Sequence, residues 1–223
     1  MAEKFNVDNL SLKELANHLR QPKGEDGKKV AEQMNKSNKH ICLNSYKVLN
    51  PNNDDSILEI GMANGFFVKD LMSMNNNLRY VGIDFSKTMV NEAIKLNQNL
   101  ISNKKVSFID GSLEEIPFKD NSFECITTTN TIYFWPNLGK NTEEIYRVLK
   151  PNGKLLIGYR SKDFMDKIEH SKYGFNKFES NDIKKLLEKV GFRNIRTKKI
   201  TEPDLDFDGK PLKILGLYTT GIK

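Results

Sequence analysis

The chain has 223 residues and a mass of 25.6 kDa, and 38% of its residues are hydrophobic while 29% are charged. This composition excludes collagen-like, disulfide-rich and membrane-bundle proteins and indicates a soluble globular protein. No apolar run approaches the roughly 18–20 residues that a membrane-spanning helix needs, and the first residues do not resemble a secretory signal. The two cysteines, Cys42 and Cys125, fit no metal-binding pattern. We therefore expect a cytoplasmic protein with reduced thiols and no bound metal.

Charge is unevenly distributed along the chain. Residues 1–50 carry a net charge of +3, residues 51–150 carry −3 and residues 151–223 carry +6. No block of five or six like charges occurs, as would be typical of a nucleic-acid-binding tail. The pattern favours a solvated basic surface and no specific nucleic-acid partner, while a surface for nucleic acid or an anionic substrate remains the alternative.

The amino-terminal segment has a helical pattern. Ser11 and Glu14 form a capping box in front of an apolar stripe. The Pro-Lys-Gly sequence at 22–24 ends this helix, and a second helix is predicted over about 27–49. We therefore treat residues 1–50 as a helical segment that precedes the main domain, residues 51–223.

From residue 56 onwards, short apolar strands alternate with amphipathic helices. Strands are predicted at 57–60, 79–84, 106–110, 123–128 and 154–159, and helices at about 66–74, 87–96, 142–149 and 181–190. This alternation predicts an α/β fold with a mostly parallel, doubly wound sheet. Two late strands, at 194–199 and 212–220, have no helix between them and should pair antiparallel. The total is seven strands, with an antiparallel last strand.

The turn after the first predicted strand carries the strongest functional signal. It contains small residues at Gly61, Ala63 and Gly65, preceded by Glu59. Small residues let the backbone bend tightly and let a ligand approach it, and nucleotides bind at this turn of a doubly wound sheet. Phe66 stands where a dinucleotide fingerprint has its last glycine, which disfavours a nicotinamide dehydrogenase. A purely structural glycine turn is the alternative.

Two acidic residues follow the next two predicted strands. Asp84 ends the second strand, where a carboxylate can accept both hydroxyls of a ribose; the alternative is a helix cap, because a helix begins just beyond it. Asp110, Gly111 and Ser112 end the third strand, where they could contact an adenine, and a plain Asp-Gly turn is the alternative there.

Three further motifs continue this series in the same order. They are Ile116–Glu124, Tyr133–Pro136 and Glu144–Gly153. With them, residues 56–220 resemble the class I S-adenosylmethionine-dependent methyltransferases (methyltransferase type 11), most closely the branch that includes the quinone-biosynthesis methyltransferases. Ala63 and Glu124 depart from the glycine and aspartate usual in the family. The resemblance implies a Rossmann-like fold, and it implies that residues 51–223 are the methyltransferase domain.

The resemblance also implies a cofactor, S-adenosylmethionine, and a product, S-adenosylhomocysteine. Acidic residues and aromatic faces suit the cationic sulfonium of S-adenosylmethionine. The residues expected to bind the cofactor are Glu59, Gly61, Met62, Ala63 and Gly65 at the methionine part, Asp84 and Phe85 at the ribose and adenine, Asp110, Gly111 and Ser112 at the adenine rim, and Thr129 and Asn130 near the amino acid moiety.

Methyl transfer is an in-line displacement that alignment and water exclusion can accelerate without a dedicated acid or base. No catalytic residue is therefore assigned. The candidate acceptor contacts are Arg20, Tyr133, Trp135, Arg160, His170 and Tyr173, with Lys23 and Tyr159 as further possibilities. Helix-on-sheet packing is the alternative role for the aromatic residues among them.

We expect methyl transfer to a small molecule, with residues 10–39 acting as a lid. Packing of this segment on the back of the sheet is the alternative to the lid. An RNA or protein methyltransferase and a catalytically idle cofactor-binding protein are the alternatives. The chain is expected to be a monomer or homodimer without a membrane partner.

Overall fold

The computed structural model describes residues 10–207 and 210–223. The chain begins with three helices, α1 (Leu12–Arg20), α2 (Gly24–Ser37) and α3 (Lys39–Leu49). The predicted capping box is confirmed, because the backbone N–H of Glu14 donates to Ser11 Oγ at 3.3 Å and the backbone N–H of Ser11 donates to the Glu14 carboxylate at 2.8 Å.

The prediction of a single helix over 27–49 is wrong. The helix divides at Asn38, whose backbone leaves the helical region at φ −96° and ψ 1°. Asparagine is a poor helix former because its side chain competes for hydrogen bonds, and here the Asn38 side chain accepts a bond from a distant residue, Asn130.

The remaining elements alternate as predicted. They are β1 (Ser56–Ile60), α4 (Val68–Met72), β2 (Arg79–Asp84), α5 (Lys87–Leu96), α6 (Gln98–Ser102), β3 (Val106–Asp110), β4 (Phe123–Thr129), α7 (Leu138–Val148), β5 (Leu149–Arg160), α8 (Lys162–Met165), α9 (Ser180–Val190), β6 (Arg193–Phe207) and β7 (Lys210–Ile222). Two 3₁₀ turns lie at Ile132–Phe134 and Glu169–Lys172.

The strands form one seven-stranded sheet in the order β3-β2-β1-β4-β5-β7-β6. The first five strands pair in parallel, and β7 pairs antiparallel with both of its neighbours. The α/β, Rossmann-like fold and the antiparallel last strand are therefore confirmed. The chain reverses its direction of winding between β1 and β4, which opens a crevice at the carboxyl ends of the strands.

Several predicted boundaries were wrong for local reasons. Helix α4 begins at Val68, because the backbone before it turns through positive φ angles at Gly61, Ala63 and Gly65. Helix α7 begins at Leu138, not at 142, because the Asn137 side chain caps it.

Two short helices and the start of β5 were also not predicted. The helices are α6 and α8. Strand β5 begins at Leu149, not at 154, and it contains Asn152, which has a φ of 64°. The pairing between β4 and β5 shifts its register near this point. This irregularity lets the strand start immediately after α7.

The two faces of the sheet carry separate apolar layers. Leu58, Ile126 and Leu155 pack towards α7 and α9, whereas their neighbours Ile57 and Leu156 pack towards α3, α4 and α5. Adjacent strand residues point to opposite faces, so each continuous apolar run fills both layers. No helix within the described residues is long and apolar enough to cross a membrane.

A third, smaller apolar cluster lies between α1 and α2. Leu15 and Val30 form it, with Leu10, Leu19 and Met34 packed against them. This cluster is distinct from the layers on the sheet, so α1 and α2 form a separate unit, which we call the α1–α2 unit (Leu12–Ser37).

Candidate functional site

A pocket lies at the carboxyl ends of the central strands. Its floor is made by the residues that follow β1, β2, β3 and β4, and its walls by the α1–α2 unit and the segment after the first 3₁₀ turn. The lining residues are Leu19, Arg20, Pro22, Met34, Asn38, Ile60, Gly61, Ala63, Ile83, Asp84, Phe85, Gly111, Ser112, Leu113, Glu114, Thr129, Asn130, Thr131, Phe134, Trp135 and Pro136.

The turn after β1 is held by hydrogen bonds to β2 and its end. Gly61 has a φ of 72°, and its N–H donates to the carbonyl of Ile83 at 2.8 Å. A Cβ atom at Gly61 would stand 2.4 Å from the Thr131 methyl group, so no larger residue fits there. Ala63 also has a positive φ, 52°, and its N–H donates to Asp84 Oδ2 at 3.0 Å.

Asp84 is the acidic residue that ends β2. Its side chain is buried, and Oδ1 accepts a bond from the N–H of Ser86 at 2.9 Å. Burial raises the pKa of Asp84 to about 6, and the two backbone N–H bonds oppose that rise. Each carboxylate oxygen keeps a further acceptor position when ionised, so the side chain can hold the turn and still accept a ligand hydroxyl. Ser86, not Asp84, caps α5.

The end of β3 contributes backbone more than side chain. Gly111 and Ser112 line the pocket, and the N–H of Gly111 donates to the carbonyl of Asp84 at 3.1 Å. Asp110 lies outside the lining and forms an ion pair with Lys87 at 3.6 Å. Of the residues predicted to contact the adenine rim, Gly111 and Ser112 therefore lie in the pocket and Asp110 lies on the surface beside it.

Glu59 lies behind the pocket, on the face of the sheet covered by α3. The Tyr46 hydroxyl lies 3.0 Å from both carboxylate oxygens, and the Tyr80 hydroxyl donates to Oε2 at 2.7 Å. Burial raises the pKa of Glu59 to about 7, and the two tyrosine bonds lower it. Glu59 is not among the lining residues, so the structure places it where it fastens α3 to the sheet.

Met62 and Gly65 also lie outside the lining. Met62 is buried in the layer below α3. The carbonyl of Gly65 accepts a bond from Asn97 Nδ2 at 3.1 Å, which joins the turn to the end of α5. Both residues support the turn from behind.

The end of β4 forms a hydroxyl cluster under one wall. Thr128 Oγ1 donates to the carbonyl of Ile60 at 2.9 Å and shares a hydrogen bond with Thr131 Oγ1. The indole N–H of Trp135 donates to Thr131 Oγ1 at 3.1 Å. This cluster fixes the only tryptophan of the chain against the pocket.

Residues 58–157 match a protein family described as a methyltransferase domain. An uncharacterized methyltransferase of Bacillus subtilis is 32% identical over 103 residues, which are 46% of this chain and 55% of that protein. The ubiquinone/menaquinone biosynthesis C-methyltransferase of Rickettsia prowazekii is 34% identical over 110 residues, which are 48% of this chain and 44% of that protein. The chain thus spans about half the length of these relatives.

The fold is also similar to that of a solved methyltransferase. A Haemonchus contortus phosphoethanolamine N-methyltransferase, in complex with phosphomonomethylethanolamine and S-adenosylhomocysteine, superposes with a TM-score of 0.71 at 16% identity, over 96% of this chain and 61% of that one. Residues 58–157 form a class I S-adenosylmethionine-dependent methyltransferase domain. Its cofactor is S-adenosylmethionine.

Of the acceptor contacts predicted for this methyltransferase, Arg20 and Trp135 line the pocket. Arg160 does not, because its guanidinium forms a buried two-bond ion pair with Glu202 at 2.6 and 2.7 Å. Tyr133 is buried in the sheet-side core behind the pocket. The Arg160 guanidinium and the Tyr133 hydroxyl therefore make their contacts within the protein and not in the pocket.

The other acceptor candidates lie farther away. His170 and Tyr173 sit in and after the second 3₁₀ turn, outside the pocket lining. Burial lowers the pKa of His170, whose ring lies 5.9 Å from that of Phe175. Tyr159 is fully buried and shares a hydrogen bond with Thr219, and Lys23 is exposed outside the lining.

About half of the residues that line the pocket were not predicted from the sequence. The unpredicted lining residues are Leu19, Pro22, Met34, Asn38, Ile60, Ile83, Leu113, Glu114, Thr131, Phe134 and Pro136. Most of them adjoin a predicted residue in sequence, so position after a strand end was an available signal. Met34 and Asn38 had no such signal, because only tertiary packing brings α2 over the sheet.

The described residues contain no cluster of three or more histidine, cysteine or acidic side chains that could hold a metal ion. The site is therefore built from backbone groups, hydroxyls, one buried carboxylate and apolar walls.

Proposed function

We propose that this methyltransferase acts on a small-molecule acceptor held between the α1–α2 unit and the wall at Phe134–Pro136. The observation that carries the proposal is the wall that the α1–α2 unit adds to the pocket, which we call the roof. Leu19, Arg20, Pro22 and Met34 of this unit line the same pocket as Gly61 and Ala63 of the glycine turn. An acceptor enclosed between this roof and the floor is a small molecule.

The roof is bonded directly to the loop after β2. Gln21 Nε2 donates to the carbonyl of Phe85 at 3.1 Å, and the N–H of Gly24 donates to Thr88 Oγ1 at 3.3 Å. The buried hydroxyl of Ser86 donates to the carbonyl of Pro22. An RNA or protein acceptor would have to displace these contacts to reach the floor, which disfavours the alternative of a macromolecular substrate.

The pocket suggests how the cofactor lies. We assign the ribose hydroxyls to Asp84, the adenine to Phe85, Gly111 and Ser112, and the methionine part to the backbone of Gly61 and Ala63 with Thr129 and Asn130. When bound, S-adenosylmethionine supplies an electrophilic methyl group on a cationic sulfur. The protein's contribution is to hold the acceptor's lone pair in line with that carbon and to exclude water.

The acceptor side combines apolar walls with one cation. Met34, Phe134 and Trp135 offer flat or adaptable apolar contact, and Arg20 lines the same pocket. This combination fits an aromatic or other apolar molecule with an anionic group. The Rickettsia relative, named as a quinone-biosynthesis C-methyltransferase, and the Haemonchus enzyme, solved with a phosphorylated base, both have names that indicate small acceptors.

The test is a binding screen followed by turnover. S-adenosylhomocysteine at 100 times its Kd should stabilise the protein by about 2.7 kcal/mol in thermal unfolding. Phenols, quinols, amines, thiols and phosphorylated bases are then offered with S-adenosylmethionine, beside tRNA and a peptide mixture, and S-adenosylhomocysteine release is measured. Turnover with a small acceptor is the expected result. Turnover restricted to RNA or peptide would overturn the proposal.

We also propose that the α1–α2 unit is a mobile lid. Its own apolar cluster and its polar contacts to the loop after β2 support this, since such a unit can move without opening the sheet's core. S-adenosylhomocysteine should then slow hydrogen exchange in residues 12–37 as well as around Gly61 and Asp84. Protection confined to the loops would overturn the lid.

A cytoplasmic location and a monomeric or homodimeric state remain our proposals. Both cysteines are free thiols, and burial raises the pKa of Cys125 to about 12, so it stays protonated and unreactive.

Light scattering during size-exclusion chromatography tests the oligomeric state and should give the mass of one or two chains. A larger mass would contradict the monomeric or homodimeric state.

A further inference from the structure

Asn130 joins the pocket floor to the junction between α2 and α3. Its Nδ2 donates to Asn38 Oδ1 at 3.1 Å, across 92 residues of sequence. Asn38 ends α2 and begins α3, so it stands at the point about which the α1–α2 unit would move. Helix α3 itself packs in the sheet's core through Tyr46 and Leu49. The bond therefore joins the pocket floor to the junction that would act as the hinge of the lid.

Asn130 is also held in an unusual backbone conformation. Its φ is 56°, in the left-handed region that asparagine tolerates better than most residues. Its N–H donates to the carbonyl of Gly158 at 2.8 Å, which anchors it to β5. The backbone position of Asn130 is thus fixed. Its side-chain amide can still take two orientations, which differ by exchange of the oxygen and the nitrogen.

Tyr133 decides that flip. Its buried hydroxyl accepts a bond from the N–H of Arg160 at 2.5 Å, so its own proton is free to donate, and it donates to Asn130 Oδ1 at 3.1 Å. Because the tyrosine donates, Asn130 must present its oxygen to Tyr133 and its N–H₂ group to Asn38. Asn38 can then accept only through its oxygen.

Tyr133 is itself buried in the core. Its hydroxyl is bonded to the backbone N–H of Arg160, and the guanidinium of the same arginine forms a buried ion pair with Glu202. The ring of Tyr133 packs 5.7 Å from that of Phe175. The backbone N–H of Arg160 at the end of β5 therefore sets the direction of the bond from Tyr133 to Asn130, and through it the direction of the bond from Asn130 to Asn38.

We propose that Tyr133 is a positioning residue that, through Asn130, holds Asn38 and thereby keeps the α1–α2 unit closed over the bound cofactor. This assignment rests on the proposed lid and deepens it, while it is independent of the acceptor's identity. It also gives Tyr133 a role different from the acceptor contact predicted from the sequence.

The variants separate the bond from the bulk of the residue. Asn38→Asp keeps an acceptor for Asn130 Nδ2, whereas Asn38→Leu removes it at similar size. Lys39→Leu places the same new side chain on the next, exposed residue as a control. Tyr133→Phe removes only the hydroxyl that orients Asn130. Far-ultraviolet circular dichroism and thermal unfolding are recorded for each variant so that rates are compared between folded proteins.

The measurement is the dissociation rate of S-adenosylhomocysteine, with hydrogen exchange of residues 12–37 in its presence. Asn38→Leu and Tyr133→Phe should each speed dissociation roughly fivefold, the loss expected from one side-chain hydrogen bond, and should lose protection in residues 12–37. Lys39→Leu should stay within about twofold of the wild type. Asn38→Asp should release S-adenosylhomocysteine more slowly than Asn38→Leu and should regain protection in residues 12–37. The double variant should be no faster than the faster single one, because both changes break the same chain of bonds.

The outcomes distinguish this assignment from the lid itself. If the wild type gains protection in residues 12–37 but Asn38→Leu and Tyr133→Phe behave like the controls, the positioning role is overturned and the lid stands. If the wild type gains no protection there, the lid fails and the positioning role fails with it. Additive effects in the double variant would also overturn the chain of bonds.

Discussion

Asp84 is a buried carboxylate that already accepts two backbone bonds, and its ionisation determines what else it can accept. The pKa of about 6 lies above the ordinary value of 3.8 because burial disfavours the charged form. Ribose hydroxyls donate to the ionised carboxylate far better than to the neutral acid. Cofactor binding and proton release from Asp84 are therefore coupled.

We expect the affinity for S-adenosylhomocysteine to be flat above pH 7 and to fall below pH 6, by up to about tenfold per pH unit. Asp84→Asn should bind more weakly at pH 7.5, by about 1.5–3 kcal/mol for each charged hydrogen bond lost, and should lack the inflection near pH 6. Isothermal titration calorimetry between pH 5 and 8 measures both. Glu59→Gln, which removes the other perturbed carboxyl, is the control that should keep the inflection. An inflection that survives in Asp84→Asn would exclude this assignment.

Ala63 gives a second prediction at the residue scale. Its φ of 52° costs an alanine roughly 1 kcal/mol, so Ala63→Gly relieves strain while making the unfolded chain more flexible by a comparable amount. Its unfolding free energy and its affinity for S-adenosylhomocysteine should both stay within about 0.5 kcal/mol of the wild type. Ala63→Leu places a branched side chain in the pocket and should abolish binding, measured by the same calorimetry. Binding that survives in Ala63→Leu would show that the cofactor does not approach this turn.

These residues were predictable because local backbone demands leave few options. Gly61 needs both a positive φ and the absence of a Cβ. Asp84 is the last residue of β2, so its place beside the turn could be predicted once the parallel strands were recognised. Tyr46 and Asn38 act through partners far away in sequence. No pattern in a single sequence reports such a contact, so their part in the site appears only in the structure.

At the scale of elements, Glu59 joins three of them. Tyr46 belongs to α3, Glu59 to β1 and Tyr80 to β2, and both tyrosine hydroxyls lie within hydrogen-bonding distance of the one buried carboxylate. The pKa of Glu59 is raised to about 7, above its ordinary value of 4.5. A folded-state pKa above the unfolded one stabilises the protein fully below the unfolded pKa, and this stabilisation is lost as the pH rises through about 7.

Tyr46→Phe should therefore destabilise the fold more at high pH than at low pH. It removes a hydrogen bond to the carboxylate, worth about 1.5–3 kcal/mol when Glu59 is ionised, and raises the pKa of Glu59 further. Urea unfolding at pH 5.5 and pH 8.5 measures the difference, with the larger loss expected at pH 8.5. Val48→Ala, a change on the same helix away from Glu59, is the control and should show a loss independent of pH. An equal loss for Tyr46→Phe at both values would mean that Glu59 is not the group involved.

The elements themselves were largely predictable, with failures that have a common cause. All seven strands were found, because a strand buried on both faces reads as a short apolar run. The break at Asn38, the cap at Asn137 and the irregular start of β5 depend on side-chain or inter-strand bonds formed only in the fold. Periodicity carries no information about such bonds, so element ends were wrong, and the short helices α6 and α8 were not predicted.

At the scale of the whole molecule, the apolar layers on the sheet and the apolar cluster of the α1–α2 unit have different roles. The layers stabilise the fold, and the cluster holds together the unit that we propose as the lid. The two layers on the sheet contain most of the fully buried side chains, whereas the α1–α2 unit has a cluster of its own around Leu15 and Val30. The sequence predicted this helical segment and placed it as a lid over the pocket. An amphipathic stripe shows that a face is buried and not against what, so the contacts of the segment with the loop after β2 appear only in the structure.

This division predicts that equal truncations in the two regions have unequal consequences. Leu15→Ala loosens the α1–α2 unit, so it should raise hydrogen exchange in residues 12–37 and speed S-adenosylhomocysteine release several-fold, while the denaturant midpoint changes little. Leu155→Ala removes the same atoms from the fully buried sheet layer and should cost about 2–5 kcal/mol of global stability. Its release rate, measured where the protein is still folded, should stay near that of the wild type. Urea unfolding measures the global stability of each variant, and stopped-flow kinetics on the same samples measure the release rate of S-adenosylhomocysteine. Should Leu15→Ala shift the global midpoint as far as Leu155→Ala does, the α1–α2 unit would unfold together with the sheet and could not act as a separate lid.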